Sequence, residues 1–125
     1  MISFLDLHKI NLRFENEFKS KFTDFLDSGY YILGSNVDLF EKEYASYCGT
    51  KYCIGVGNGL DALRLIIEGY KALGKLKEND EVLVASNTYI ATILAIKQAG
   101  LNPVLIESEE DTFNFDLSDL SKSIT

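Results

Sequence analysis

Gly57-Asn58-Gly59-Leu60-Asp61-Ala62-Leu63 joins an apolar run, Tyr52-Cys53-Ile54-Gly55-Val56, to a stretch of helical spacing from Leu60 to Leu73. A strand that passes through glycines into a helix is the repeating joint of an α/β sheet. Such a joint also exposes backbone N–H groups at the positive end of a helix dipole, where an anion, above all a phosphate, is stabilised. Two readings of the turn stand side by side. It cradles a phosphate, or it is a tight bend that lets strand and helix pack closely.

The glycines limit which phosphate is possible. A dinucleotide fingerprint needs a third glycine where Leu60 stands, and its strand opens the fold, whereas two helical stretches come first here. No Gly-Lys-Ser/Thr triplet is present for a triphosphate. The turn therefore suits a single phosphoryl group.

Upstream, Asn11 to Ser28 sets Leu12, Phe18, Phe22, Phe25 and Leu26 at helical intervals among charged residues, which predicts an amphipathic helix ended by Gly29. An aromatic loop, Tyr30-Tyr31-Ile32-Leu33-Gly34, follows. Ser35 with Asp38 three residues on reads as the N-cap of a second helix, with Val37, Phe40, Tyr44 and Tyr47 on one face and Gly49 as its stop.

Downstream, three strand-helix alternations are expected. Tyr52–Val56 leads into Leu60–Leu73, Glu81–Ala85 into a helix over about Ile90–Ala99, and Leu101–Ile106 is a third strand. The strands are short and nearly all apolar, as when both faces of a parallel sheet are covered. Asn79-Asp80 and Gly100-Leu101-Asn102 supply turns. Asp116 opens a capped helix close to Thr125, and the chain reads as the front part of a longer protein. The expected organisation is a helical segment with a loop over 1–50 and the first strand-helix units of an α/β domain over 51–125.

The second joint, Ser86-Asn87-Thr88-Tyr89, would face the same crevice as the first, because ligands gather at the carboxyl ends of parallel strands. It offers hydroxyls, an amide and the Tyr89 ring. That ring either stacks on a planar ligand or packs in the core at the start of a helix.

Composition narrows the partners. The chain has 125 residues, is 46% hydrophobic and carries a net charge of -7. That describes a globular domain without the basic patch that nucleic acid demands. No apolar run spans a bilayer, and Met1 to Asp6 lacks a secretory leader. Cys48 and Cys53 have no neighbouring histidine or second ligand pair, so buried reduced thiols are expected rather than a zinc site or a disulfide. His8 is expected in a surface or packing role.

In this order, Phe4-Leu5-Asp6-Leu7, Ser28-Gly29-Tyr30-Tyr31-Ile32-Leu33-Gly34, Phe40 to Gly49, Ile54 to Leu63, Asp80 to Val84, Ser86 to Thr92 and Asn114-Phe115-Asp116 resemble the DegT/DnrJ/EryC1/StrS sugar aminotransferases. These are fold type I enzymes dependent on pyridoxal phosphate. Gly69 to Leu76 and the Asn-Thr-Tyr-Ile-Ala stretch look closest to the dTDP-3-amino-3,6-dideoxyhexose transaminases, which aminate 3-keto sugars.

The resemblance covers the whole chain, as about the first third of a family member. It implies the N-terminal part of a fold type I large domain, a mainly parallel sheet flanked by helices. It implies that Gly59, Leu60 and Asp61 hold the cofactor phosphate, that Tyr89 stacks on the pyridine ring, and that Asn87 and Thr88 shape the pocket beside it. It implies a homodimer, with the Tyr30–Gly34 loop at the site entrance or subunit interface; packing under the helix hairpin is the alternative. It implies an amino-acid donor, glutamate, and a nucleotide-linked keto sugar as substrates, in cytoplasmic amino-sugar synthesis for surface polysaccharide such as lipopolysaccharide. It places the Schiff-base lysine and the acid that pairs with the pyridinium nitrogen beyond Thr125, so none of Lys51, Lys71, Lys75 and Lys77 is the nucleophile and this chain alone is expected to be inactive. Two other readings remain: a non-catalytic cofactor- or phosphate-binding module, and a structural dimerisation fragment without the catalytic lysine.

Overall fold

The computed structural model describes residues 4–124, so the reading of Met1-Ile2-Ser3 as no leader falls outside the described residues. The chain divides into two compact units, Met1–Gly55 and Val56–Thr125.

The first unit is helical. Helix α1 (Leu7–Asn11) is capped by Asp6, whose carboxylate accepts the Lys9 N–H at 2.9 Å. A short 3-10 turn, Leu12–Phe14, leads into α2 (Glu15–Ser28). The helical run thus starts earlier than the sequence spacing implied. It ends at Gly29, whose φ of +67° is the left-handed cap that glycine adopts most easily. Helix α3 (Ser35–Cys48) ends the same way at Gly49.

Ser35 is not its N-cap. Gly34 takes that position in extended backbone, and Ser35 is already helical, so its hydroxyl cannot reach the orphan amides as a capping box requires. The apolar stripes are where the spacing puts them, but they are not covered. Phe18, Phe22 and Leu26 on α2 and Phe40, Tyr44 and Tyr47 on α3 are exposed, and Ala45 is the buried residue of α3.

Tyr52–Val56 is not a strand. A strand exists by pairing, and among the described residues no ladder partner faces it. The Gly55 N–H instead donates to the Glu41 carboxylate at 2.6 Å. Both thiols are free, as expected, but not deeply buried: Cys48 is exposed and Cys53 half-buried.

The second unit carries the α/β core. Helix α4 (Gly59–Ala72) is followed by β1 (Glu81–Ala85), α5 (Ile90–Gln98), β2 (Asn102–Ile106) and α6 (Leu117–Ser123). The strands pair in parallel, with Glu81 opposite Asn102 and Ala85 opposite Ile106, and α5 is the crossover that a parallel pair needs. Val84, Ile96 and Leu101 form the buried centre, with Ile67, Leu76, Val82 and Ile93 packed against it. Leu105 is exposed, so the sheet is not covered on both faces. The expected Asn79 and Gly100 turns are present, both in left-handed backbone. Among the described residues, no helix is long and apolar enough to cross a membrane.

Candidate functional site

The first joint is a helix N-terminus with part of its donor set free. Asn58 is the N-cap of α4: its side-chain oxygen accepts the Asp61 N–H at 2.9 Å, and its Nδ2 donates to the Asp61 carboxylate at 3.0 Å. Its backbone carbonyl accepts the Ala62 N–H at 3.1 Å. The Asp61 amide is therefore engaged within the protein. The Gly59 and Leu60 amides donate to no acceptor among the described residues. A first helical turn leaves such donors unsatisfied unless a side chain, water or ligand meets them. Nothing lies within 4 Å of where a Gly59 Cβ would stand, so the turn is open on that side. The sequence reading missed Asn58; the Asn-x-x-Asp spacing is the signal that would have found it.

The second joint follows the carboxyl end of β1. Tyr89 is the N-cap of α5, in extended backbone, with 80% of its surface exposed. It is not a core aromatic. The Thr88 hydroxyl donates to that of Thr92 at 3.1 Å, and the Thr88 N–H closes a turn on Ala85 at 3.1 Å. Asn87 donates from Nδ2 to the Phe113 carbonyl at 3.0 Å. The Ser86 N–H donates to the Ile106 carbonyl at 2.9 Å. The two joints lie in the same unit, on helices that pack together, but no hydrogen bond joins them among the described residues.

Lys71 does not offer a nucleophile. The Lys71 ammonium donates to Glu78 at 2.6 Å and to the Ala99 carbonyl at 2.8 Å. The Glu78 hydrogen bond, aided by the charges of Glu68 and Glu78 against partial desolvation, holds its pKa above the ordinary lysine value. An amine kept protonated is the opposite of an activated one. Among the described residues, no group of three His, Cys, Asp or Glu could hold a metal ion. In the first unit, Phe25, Tyr31, Leu33 and Val37 line a hollow of about 390 Å³. Tyr30 to Leu33 are exposed there rather than packed under a hairpin.

The second unit is thus of the α/β class, with a parallel strand pair, two unengaged amides at the N-terminus of α4 and an exposed ring after the end of β1. The chain belongs to the DegT/DnrJ/EryC1/StrS aminotransferase family, whose profile matches residues 13–125.

It is 54% identical to the dTDP-3-amino-3,6-dideoxy-alpha-D-galactopyranose transaminase of Aneurinibacillus thermoaerophilus, over 100% of this chain and 33% of that protein. The crystal structure of S. venezuelae DesV in complex with a ketimine intermediate superposes with a TM-score of 0.87 at 40% identity, over 99% of this chain and 32% of that one. A GDP-4-keto-6-deoxymannose-3-dehydratase with a trapped PLP-glutamate geminal diamine gives a TM-score of 0.75 at 28% identity, over 82% of this chain and 27% of that one. The fold is the N-terminal part of a fold type I large domain, and the chain spans about a third of the length of these relatives.

Proposed function

We propose that the complete protein is a pyridoxal-phosphate-dependent aminotransferase that moves an amino group from glutamate to the keto group of a nucleotide-linked deoxysugar. The observation that carries this is the 54% identity, across the whole chain, to a transaminase of a dTDP-linked 3-amino-3,6-dideoxy sugar. The third carbon of a dTDP-6-deoxyhexose is therefore the proposed position of amination.

The residues present fit the cofactor. Two free amides at Gly59 and Leu60 suit a single phosphate, and Asp61 completes that turn through the Asn58 cap. The exposed Tyr89 ring supplies a stacking face, flanked by Asn87 and Thr88. When bound, the cofactor supplies an electron sink and a carrier for the amino group. The chain's own residues bind its phosphate and orient its ring; the covalent lysine and the acid for the ring nitrogen belong to the rest of the protein. The 51–125 region is proposed as the start of the cofactor domain and 1–50 as a helical segment whose loop meets the site entrance or a second subunit. A homodimer is part of the same proposal. The proposed setting is cytoplasmic amino-sugar synthesis for surface polysaccharide such as lipopolysaccharide.

The test gives the complete protein pyridoxal phosphate, glutamate and a dTDP-3-keto-6-deoxyhexose. The expected result is 2-oxoglutarate and the 3-amino sugar in equal amounts, with none from the 125-residue polypeptide alone. A deoxygenated sugar in place of an amine, or turnover by the short polypeptide, overturns the reading.

A further inference from the structure

We propose that Asn87 is a positioning residue: its side-chain amide fastens the Tyr89 turn to the acidic loop after β2, and that loop sets where the ring stands. This rests on the reading of Tyr89 as the face on which the cofactor ring lies.

Within these 125 residues the Tyr89 ring is exposed, so what this chain contributes to its place is the backbone that carries it. That backbone is stitched to the segment after β2 at more than one point. The Ser86 N–H donates to the Ile106 carbonyl at 2.9 Å, and the Ser86 hydroxyl lies 3.4 Å from the Glu107 carboxylate. The longest reach is that of Asn87, from Nδ2 to the Phe113 carbonyl 26 residues away, at 3.0 Å.

The far side of this link is hydrogen-bonded within itself. The Phe113 N–H donates to the Glu109 carbonyl at 2.9 Å, and the Glu109 N–H donates to the Asn114 carbonyl at 2.9 Å. The Thr112 hydroxyl donates to the Glu109 carboxylate at 2.7 Å, and Ser108 bridges to Phe115. Phe113 itself has φ of +56°, a left-handed conformation that a bulky residue holds only when its surroundings over-determine it. A carbonyl held within its own loop thus meets one of the two N–H groups of the Asn87 side-chain amide. That bond ties the turn carrying Tyr89 to the loop, and through it Asn87 sets the position of the ring.

The complete protein is titrated with pyridoxal phosphate and binding is read by absorbance, for wild type, Asn87→Leu, Tyr89→Ala and the double variant. Leu keeps the shape of Asn and lacks the donor. Asn87→Leu is expected to weaken binding about threefold to tenfold, the scale of one hydrogen bond or one ring contact. The double variant is expected to bind no worse than Tyr89→Ala alone, because the link has nothing left to position. Unchanged affinity in Asn87→Leu, or losses that multiply in the double variant, overturn the proposal. Asn87→Ala, a milder truncation read in the same cycle, decides the matter should Asn87→Leu fold poorly. A wild type that does not bind, or Tyr89→Ala that binds as wild type does, sinks the cofactor reading and this proposal with it. Loss in Tyr89→Ala without loss in either Asn87 variant sinks the proposal alone.

Discussion

Gly100, Glu78 and Lys71 act as one device, and the glycine is its hinge. Gly100 has φ of +75°, which an L side chain adopts at a cost of about 1–2 kcal/mol. A Cβ there would also overlap the Glu78 carboxylate, which the Lys71 ammonium holds in place. Gly100→Ala is therefore expected to destabilise the complete protein by about 1–2 kcal/mol from backbone strain and to push Glu78 off Lys71 as well. The second effect has its own pH signature. The folded pKa of Lys71 is raised, so its stabilisation is fully present below the unfolded lysine value of about 10.4 and fades as pH climbs through the folded value. Wild type should lose stability on that alkaline limb, and Gly100→Ala should lose less there. Denaturant midpoints measured from neutral pH upward check both parts. An alkaline limb of equal slope in the two proteins would mean that Glu78 is not what raises Lys71.

Helix ends were legible where the signal is local, and illegible where it depends on a distant partner. Gly29, Gly49 and Asp116 were readable because a left-handed stop or a capping carboxylate acts on amides within a few residues. Ser35 misled because Gly34, one residue earlier, could take the cap without any side-chain bond. Tyr52–Val56 has the composition of a strand, but pairing is a non-local fact that composition does not contain. The glycine joint of the candidate site was legible as a helix N-terminus. The Asn58 cap on Asp61 was within reach of the same logic, while the bond from Asn87 to Phe113 spans 26 residues and leaves no periodic trace. The cap of α6 gives a test at this scale. The Asp116 carboxylate accepts the Ser118 N–H at 2.7 Å and the Asp119 N–H at 3.1 Å. Asp119 in turn accepts the Glu107 N–H at 2.9 Å, which pins α6 to the end of β2. Asp116→Ala should cost about 0.5–2 kcal/mol, the range for loss of an N-cap. Hydrogen exchange should show lost protection at Ser118, Asp119 and Glu107 together. Protection lost at Ser118 alone would mean that the cap and the pin are independent.

At the scale of the whole polypeptide, the balance of covered and uncovered apolar surface decides behaviour in solution. Among the described residues, the buried hydrophobics are Ala45, Val84, Ala95, Ile96, Ala99, Leu101 and Ile106, a small set weighted toward the second unit. Phe18 and Phe22 on α2 and Phe40, Tyr44 and Tyr47 on α3 remain exposed. Among the described residues, the two-stranded sheet also has no ladder partner on either edge. Fully burying one such ring is worth about 1.5–3 kcal/mol, so covering half of the surface of these five releases on the order of 4–8 kcal/mol. Association costs about 4–15 kcal/mol, so the two terms are close. The 125-residue polypeptide alone should therefore self-associate reversibly and in proportion to concentration, rather than form one tight dimer. Its net charge of -7 opposes contact between copies, and salt screens that repulsion. Sedimentation equilibrium should give an average mass that rises with protein concentration and rises further with added salt. Phe18→Ser combined with Phe40→Ser should return it toward the monomer with helix content retained, since both rings are exposed. A monomeric mass at every concentration and salt level would mean that these faces are too small or too scattered to act as a surface.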